Sequence, residues 1–270
     1  VLADARPEPS PERVVTMFPY HDENETRHTP YVTYVIIALN VLAWIVIQGA
    51  GTTLALARSV CELGLIAGEL TGRLAPGTPF PMGEGLVCLT DPGRQIENVF
   101  TSMFLHGSWM HLLGNMWFLW LFGNNIEDSM GRARFVVFYL VCGVAAALAQ
   151  VLASPGSIIP MVGASGAISG VMGAYLVLYP RVRVFAVVPV GFIPLSIALP
   201  AWTMLIYWMV IQVVSGLSGL LAEERGGVAF WAHVGGFVAG VVLIKLFARP
   251  GDVQAHRSTH WEPRRVAARW

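Results

Sequence analysis

The chain has 270 residues, of which 55% are hydrophobic and 13% charged, with a mean hydropathy of +0.60. That is too apolar for a soluble domain of this length and predicts a polytopic membrane protein. Formal net charge is zero, so nothing in the charge favours nucleic acid or an acidic partner.

Residues 1–31 are proline-rich, carry mixed charge and read as a flexible cytoplasmic arm. Their "HDENETRH" is unlike a basic end followed by an apolar core, so no cleavable signal peptide is expected and the first span serves as the insertion signal. A spanning helix needs about 20 mostly apolar residues. Six stretches qualify, 32–50, 104–123, 135–153, 163–180, 201–221 and 229–248, which predicts an all-α membrane domain over 32–248. Six spans put both termini on one side. That side carries thirteen Lys and Arg against four on the other (Arg58, Arg73, Arg94 and Arg225). The short loops holding Arg132, Arg134, Arg181 and Arg183 dominate that count, and the positive-inside rule makes both termini cytoplasmic. A bacterial-type plasma membrane is the expected location.

The loop 51–103 then faces outward, where an oxidising compartment could pair Cys61 with Cys88; Cys142 is a small residue within the membrane core. Residues 59–74 of that loop have apolar positions at helical spacing, and residues 75–85 are turn-rich. The stretch "VRVFAVVPVGFIPLSIALPAW" is apolar but broken by Pro189, Pro194 and Pro200, and reads as a cytoplasmic-side interfacial segment rather than a crossing. The loop "AEERGGV", with Gly226 and Gly227, is a candidate flexible cap. Residues 249–270 form a basic tail, suited to anionic lipid head groups or simply a disordered end.

Small residues mark helix contacts. Gly166, Gly170 and Ala174 recur every four residues on the fourth span, as do Gly236 and Gly240 on the sixth, which predicts that these two helices pack closely.

Polar residues within spans are costly and are functional candidates by default. Those here are His111 and Asn115, Gln150, Ser165 and Ser169, Gln212 and Ser215, and His233. Counted back to the cytoplasmic ends at about 1.5 Å per residue, Ser165 and His233 lie about 22 Å up and His111 about 20 Å. Asn115 is one turn deeper, and His106 is at the outer edge. Taken singly, such a serine is commonly a packing residue, and such a histidine a proton relay, a metal ligand or an interhelical bond. Taken together at one depth, they meet the needs of nucleophilic catalysis: a hydroxyl, a base to deprotonate it and donors for the oxyanion. Ser165 is the nucleophile on this reading and His233 the base. His111 and Asn115, one turn apart on one face, supply oxyanion donors with the Ser165 backbone N–H. No carboxylate is at hand to orient His233, so a dyad is expected, with Ser169 placed to steady the imidazole. The spacing of His106 and His111 does not fit a metalloprotease, and the chemistry requires no metal or cofactor.

At these residues the sequence resembles the rhomboid-type intramembrane serine proteases. The resemblance runs from Tyr31 to Phe247 and rests on "TSMFLHGSWMHLLGNMWFLWLFG", "GASGAISGVMGAY" and "AHVGGFVAG". It implies a six-helix rhomboid-like bundle with a water-filled cavity and a substrate path past the fifth span. It likewise implies Ser165 as nucleophile, His233 as base, His111 and Asn115 on the oxyanion side, and His106 holding the outer loop. Gly163, Gly166, Gly236 and Gly240 support this site. The implied activity is cleavage of transmembrane proteins within the lipid bilayer; a non-catalytic binder or transporter using the same cavity is the alternative. Three features depart from the family pattern. "RQIENVF" stands where a Trp-Arg pair is usual, Ser129 replaces an arginine after Glu127, and Ser169 replaces an aromatic that stacks beneath the histidine. Oligomeric state and substrate identity are not encoded in any recognisable motif.

Overall fold

The computed structural model describes residues 18–83, 85–190, 193–221 and 228–260. The chain runs β1 (Phe18–Asp22), α1 (Tyr31–Val46), α2 (Thr53–Leu63), α3 (Ala67–Leu70), β2 (Pro79–Gly83), β3 (Leu86–Leu89), α4 (Asn98–Thr101) and α5 (Trp109–Met130). It continues through α6 (Arg132–Ala153), α7 (Ser165–Leu178), β4 (Arg183–Val190), β5 (Ile193–Pro200), α8 (Ala201–Leu221), α9 (Phe230–Phe247) and α10 (Pro250–His260). Among these, α6, α8 through Gly219, and α9 are long and apolar enough to cross a membrane, while α1 and α7 are shorter apolar helices.

Helix ends follow local chemistry. α5 begins at Trp109 rather than at residue 104, because Ser102–Phe104 form a 3-10 turn and the Ser108 hydroxyl accepts the His111 amide at 3.1 Å as an N-cap. Its other end reverses at Gly131, whose φ of 81° is readily adopted only by glycine, and α6 starts at the next residue. α1 is capped from a distance. The Glu127 carboxylate accepts the amides of Val32 and Thr33 at 3.0 and 2.8 Å and the Thr33 hydroxyl at 2.9 Å, placing a negative charge at the helix N-terminus.

α7 is the buried axis of the molecule, with Val171, Ala174 and Tyr175 inaccessible and α5, α6 and α9 packed around it. The close approach expected between the fourth and sixth spans is present. A Cβ built on Gly240 of α9 would run into the Gly170 carbonyl of α7, and one on Gly236 into the Gly166 carbonyl. α6 closes in on the same pair: a Cβ on Gly166 would lie 2.6 Å from that of Ala146, and one on Gly170 2.5 Å from that of Cys142. Backbone thus lies against backbone, the arrangement small residues permit where lipid supplies no hydrophobic drive.

The all-α expectation is corrected by five strands. The segment expected to lie in the interface is an antiparallel hairpin, β4 and β5, in register from Arg183 opposite Pro200 to Val190 opposite Ile193. Its β-branched and apolar residues favour a strand, and its prolines fall near the turn, as a Pro189 and Pro194 pair, or at the last position. The arm expected to be flexible supplies β1, which adds to β4 with Phe18 opposite Val187 and Asp22 opposite Val184. In the loop 51–103, α2 and α3 bear out the helical spacing, β2 and β3 form a second hairpin, and Cys61 and Cys88 are joined with Cα atoms 5.8 Å apart. The start of the basic tail is α10. The cap candidate "AEERGGV" lies, up to Gly227, outside the described residues, as do residues 1–17 and 261–270.

β1 is anchored by a buried carboxyl. Asp22 accepts the Tyr175 hydroxyl at 2.6 Å and the Asn125 amide at 3.2 Å, yet burial outweighs these bonds and raises its pKa from 3.8 to about 7. The folded state therefore holds this proton more tightly than the unfolded one. Asp22 favours folding fully below about pH 4, and that contribution is lost as pH rises through about 7. Asp22→Asn is expected to flatten the decline in melting temperature between pH 5 and 8; an unchanged slope would show that Asp22 is ionised in the native protein.

Candidate active site

Three loops and helix ends converge on one cavity of about 1080 Å³, whose wall includes His111, Asn115, Gly163, Ser165, Trp208 and His233. Ser165 is the first residue of α7, so its hydroxyl meets the cavity and its backbone N–H belongs to the helix turn that lacks an internal acceptor. The loop before it is held from two sides. The Gly163 amide donates to the Ser102 carbonyl at 2.9 Å, and Met161 pairs with Leu65 in an isolated bridge.

His233 lies in the first turn of α9, and its Nε2 is 2.8 Å from the Ser165 hydroxyl. The glycine contacts between α7 and α9 lie directly below this pair. The α9 start is also tied to α6, since the Ala232 amide donates to the Gln150 side-chain oxygen at 3.2 Å.

On the other side of Ser165, His111 sits at the third position of α5. Its Nδ1 accepts the Gly107 amide at 3.2 Å, which leaves Nε2 as the protonated nitrogen. Gly163 is close to both groups: a Cβ built on it would lie 2.8 Å from His111 Nε2 and 3.5 Å from the Ser165 hydroxyl. Asn115, one turn on, is buried, and its amide nitrogen has no hydrogen-bond partner among the described residues. An unpaired buried donor in a cavity wall is costly unless something else occupies it.

Gly163 combines this proximity with a φ of 131°, where side chains are strained. Gly163→Ala is therefore expected to displace the His111 imidazole by about 1 Å and to destabilise the protein by about 1–3 kcal/mol. A melting temperature equal to the parent's would mean that His111 is not held here.

His106 holds its place differently from expectation. Its backbone is clamped by Gln48, whose oxygen accepts the His106 amide and whose nitrogen donates to the His106 carbonyl, both at 2.8 Å. The buried ring stacks edge-on against His111 with centroids 5.1 Å apart, and its nitrogens have no partner among the described residues. Ser169 does not reach the imidazole. Its hydroxyl donates to the Ser165 carbonyl at 2.6 Å, a bond back to its own helix. The aromatic missing from that position is supplied by α8: the Trp208 ring lies against His233, centroids 5.7 Å apart and tilted by 38°.

The contact not anticipated from sequence is Gln212. One turn beyond Trp208 on α8, its side-chain oxygen is 2.7 Å from His233 Nδ1. A depth count on α8 would have pointed to it. Gln212 is 11 residues above Ala201, which places it about 16 Å up, about one turn below the His233 level. The loop pattern that replaces the Trp-Arg pair also has a structural function. Asn98 donates to the carbonyls of Glu62 and Gly64 at 3.2 and 3.0 Å, and Thr101 to that of Leu63 at 2.7 Å, fastening the end of α2 to α4.

The fold and site together define a helical membrane protein with a serine and a histidine paired in a largely apolar cavity. Residues 93–250 match the Rhomboid domain, and the chain belongs to the rhomboid family. It is similar to Rhomboid-like protein 11, chloroplastic, of Arabidopsis thaliana, with 29% identity over 154 residues, 55% of this chain and 51% of that protein. It also resembles Rhomboid protein 1, mitochondrial, of Saccharomyces cerevisiae, at 27% over 180 residues (64% and 46%), and Rhomboid protease GluP of Bacillus subtilis, at 29% over 142 residues (53% and 24%). The chain spans about half or less of the length of these curated relatives.

Proposed function

We propose that this protein is a serine endopeptidase that cleaves other membrane proteins within or just outside their transmembrane segments. The carrying observation is the 2.8 Å approach of His233 Nε2 to the Ser165 hydroxyl, inside a cavity whose opposite wall offers N–H donors. On this reading α1, α5, α6, α7, α8 and α9 all cross the membrane. On the same reading the termini lie in the cytoplasm and the Cys61–Cys88 loop outside, which the excess of Lys and Arg at both ends and in the loops after α5 and α7 supports. A bacterial plasma membrane fits that charge asymmetry. The membrane domain is residues 32–248, with the arm before it and the tail after it on the cytoplasmic side.

The reaction begins when a substrate segment enters past α8, whose Trp202, Ile206, Val210, Val214 and Leu217 are exposed to the surroundings. The segment unwinds so that a peptide carbonyl reaches Ser165. The Ser165 oxygen forms a bond to the carbonyl carbon while its proton passes to His233 Nε2. The carbonyl oxygen, now negative, accepts from His111 Nε2–H, the Asn115 amide and the Ser165 backbone N–H, donors held in place before charge develops. The C–N bond then breaks, and His233 returns its proton to the leaving amine. Water deprotonated by His233 hydrolyses the acyl-enzyme and restores the Ser165 hydroxyl. The two hydrolysis products leave the cavity, and no cofactor takes part.

The test is cleavage of a single-span substrate by the purified protein in liposomes, compared with Ser165→Ala, together with labelling of Ser165 by a fluorophosphonate. Cleavage that persists in the variant would overturn the mechanism. A parent that binds such segments but never cleaves them or takes the label would instead be a membrane-protein binder.

A further inference from the structure

The dyad reading leaves one question of proton chemistry open. A neutral imidazole is a base at only one nitrogen, and in this cavity the proton must sit on Nδ1 for Nε2 to accept from Ser165. Nothing in the Ser165–His233 contact selects that tautomer, because a hydroxyl can donate or accept. A partner at Nδ1 selects it. Gln212 provides one, its oxygen 2.7 Å from Nδ1 and its side chain buried behind the imidazole, away from the cavity wall.

We propose that Gln212 is the positioning residue of the catalytic base: it accepts the Nδ1–H of His233 and so keeps Nε2 unprotonated and aimed at Ser165. The proposal rests on the reading of Ser165 as nucleophile and His233 as base. Gln212 and Trp208 stand one turn apart on α8, so a single helix holds the imidazole by its edge and by its face. When Ser165 gives up its proton, Nε2 gains it and Nδ1 keeps its own, still donating to the amide oxygen; no proton moves to Gln212. The amide dipole stabilises the imidazolium so formed without placing a second charge in the membrane. An amide thereby takes the orienting function that a carboxylate has in a serine triad, with a weaker field and a lower desolvation cost.

The geometry also links α8 to the chemistry. Any displacement of α8 that moves Gln212 by more than about 1 Å breaks a 2.7 Å bond and frees the wrong tautomer. Among the described residues, no other side chain is bonded to His233 Nδ1.

The test compares the parent, Ser165→Ala, Gln212→Leu and Gln212→Glu in liposomes, measuring kcat and KM against pH together with melting temperature. Gln212→Leu is expected to lower kcat by about 10-fold or more, with KM within about twofold. The acid limb of its profile moves to lower pH, because the imidazolium has lost its acceptor. Gln212→Glu restores an acceptor at the same reach and is expected to recover kcat to within about fivefold of the parent. A merely structural loss would lower activity evenly across pH and would not be repaired by Glu. Gln212→Leu with the parent's kcat and profile overturns the proposal, as does Gln212→Glu that is folded yet no more active than Leu. If Gln212→Leu does not fold, Gln212→Glu decides alone by the same criterion. Cleavage retained in Ser165→Ala would refute the nucleophile instead, a result distinguishable from either.

Discussion

Ser165→Ala is expected to lower turnover of a transmembrane substrate by at least about 10⁴-fold, because among the described residues no other serine of the cavity wall is bonded to a histidine ring, and only binding and oxyanion donors remain. His233→Ala should lose about as much, since an unactivated serine hydroxyl is a poor nucleophile at neutral pH. The double variant should be no worse than either single one. On the proposed mechanism the two residues act as a unit, and removing half of it removes the whole effect. Additive losses would mean that the 2.8 Å contact between them is not the reacting pair. Melting temperatures of all three should stay within a few degrees of the parent, as the substitutions delete atoms at a cavity wall rather than in the packed interior.

Gly240→Ala is expected to cost less activity and by a different route. One added methyl at Gly240 would overlap the Gly170 carbonyl, and neither partner is a side chain that can turn away. α7 and α9 would have to separate by about 1 Å or more, at an overpacking cost of about 1–3 kcal/mol. Ser165 and His233 sit on these two helices, so the same separation lengthens their contact and should reduce kcat by about 100-fold. Gly251→Ala, where a Cβ meets open space within 4 Å, is the matched control and should change neither stability nor rate. If Gly240→Ala lowers the melting temperature while kcat is unchanged, helix packing and base positioning are independent.

The helical expectations and the catalytic geometry differ in how far sequence reaches. A membrane helix closes its own backbone hydrogen bonds, so composition within 20 residues nearly decides it; the stretches 135–153, 201–221 and 229–248 accordingly fall within a few residues of α6, α8 and α9. The small-residue spacing of Gly166, Gly170, Gly236 and Gly240 is likewise a local pattern, and the contact it implies is present. The strand pairing was not legible. β1 joins β4 across more than 160 positions, and a segment with three prolines gives no local sign that a distant arm will pair with it.

At the site, matching the rise along each helix brought Ser165, His233 and His111 to one level, with Asn115 one turn deeper. Depth fixes only one coordinate, however, because rotation about each helix axis is set by packing against neighbours. Ser169 has the right depth and turns its hydroxyl to its own helix, while Gln212, the side chain that reaches His233 Nδ1, lies on a separate helix. Glu127 was visible as part of a sequence element, but its capping of α1 depends on two helices being side by side.

The sequence by itself determined that this is a membrane protein, which stretches are its apolar helices, which family it belongs to and which polar residues lie at a common level. Only the tertiary structure decided which of those side chains meet, that the imidazole is held by α8 through Trp208 and Gln212, and that the arm is a strand. The reason is one of range. Helix formation and burial in lipid are properties of contiguous residues, whereas a hydrogen bond between helices depends on rotations and translations that only the assembled packing specifies.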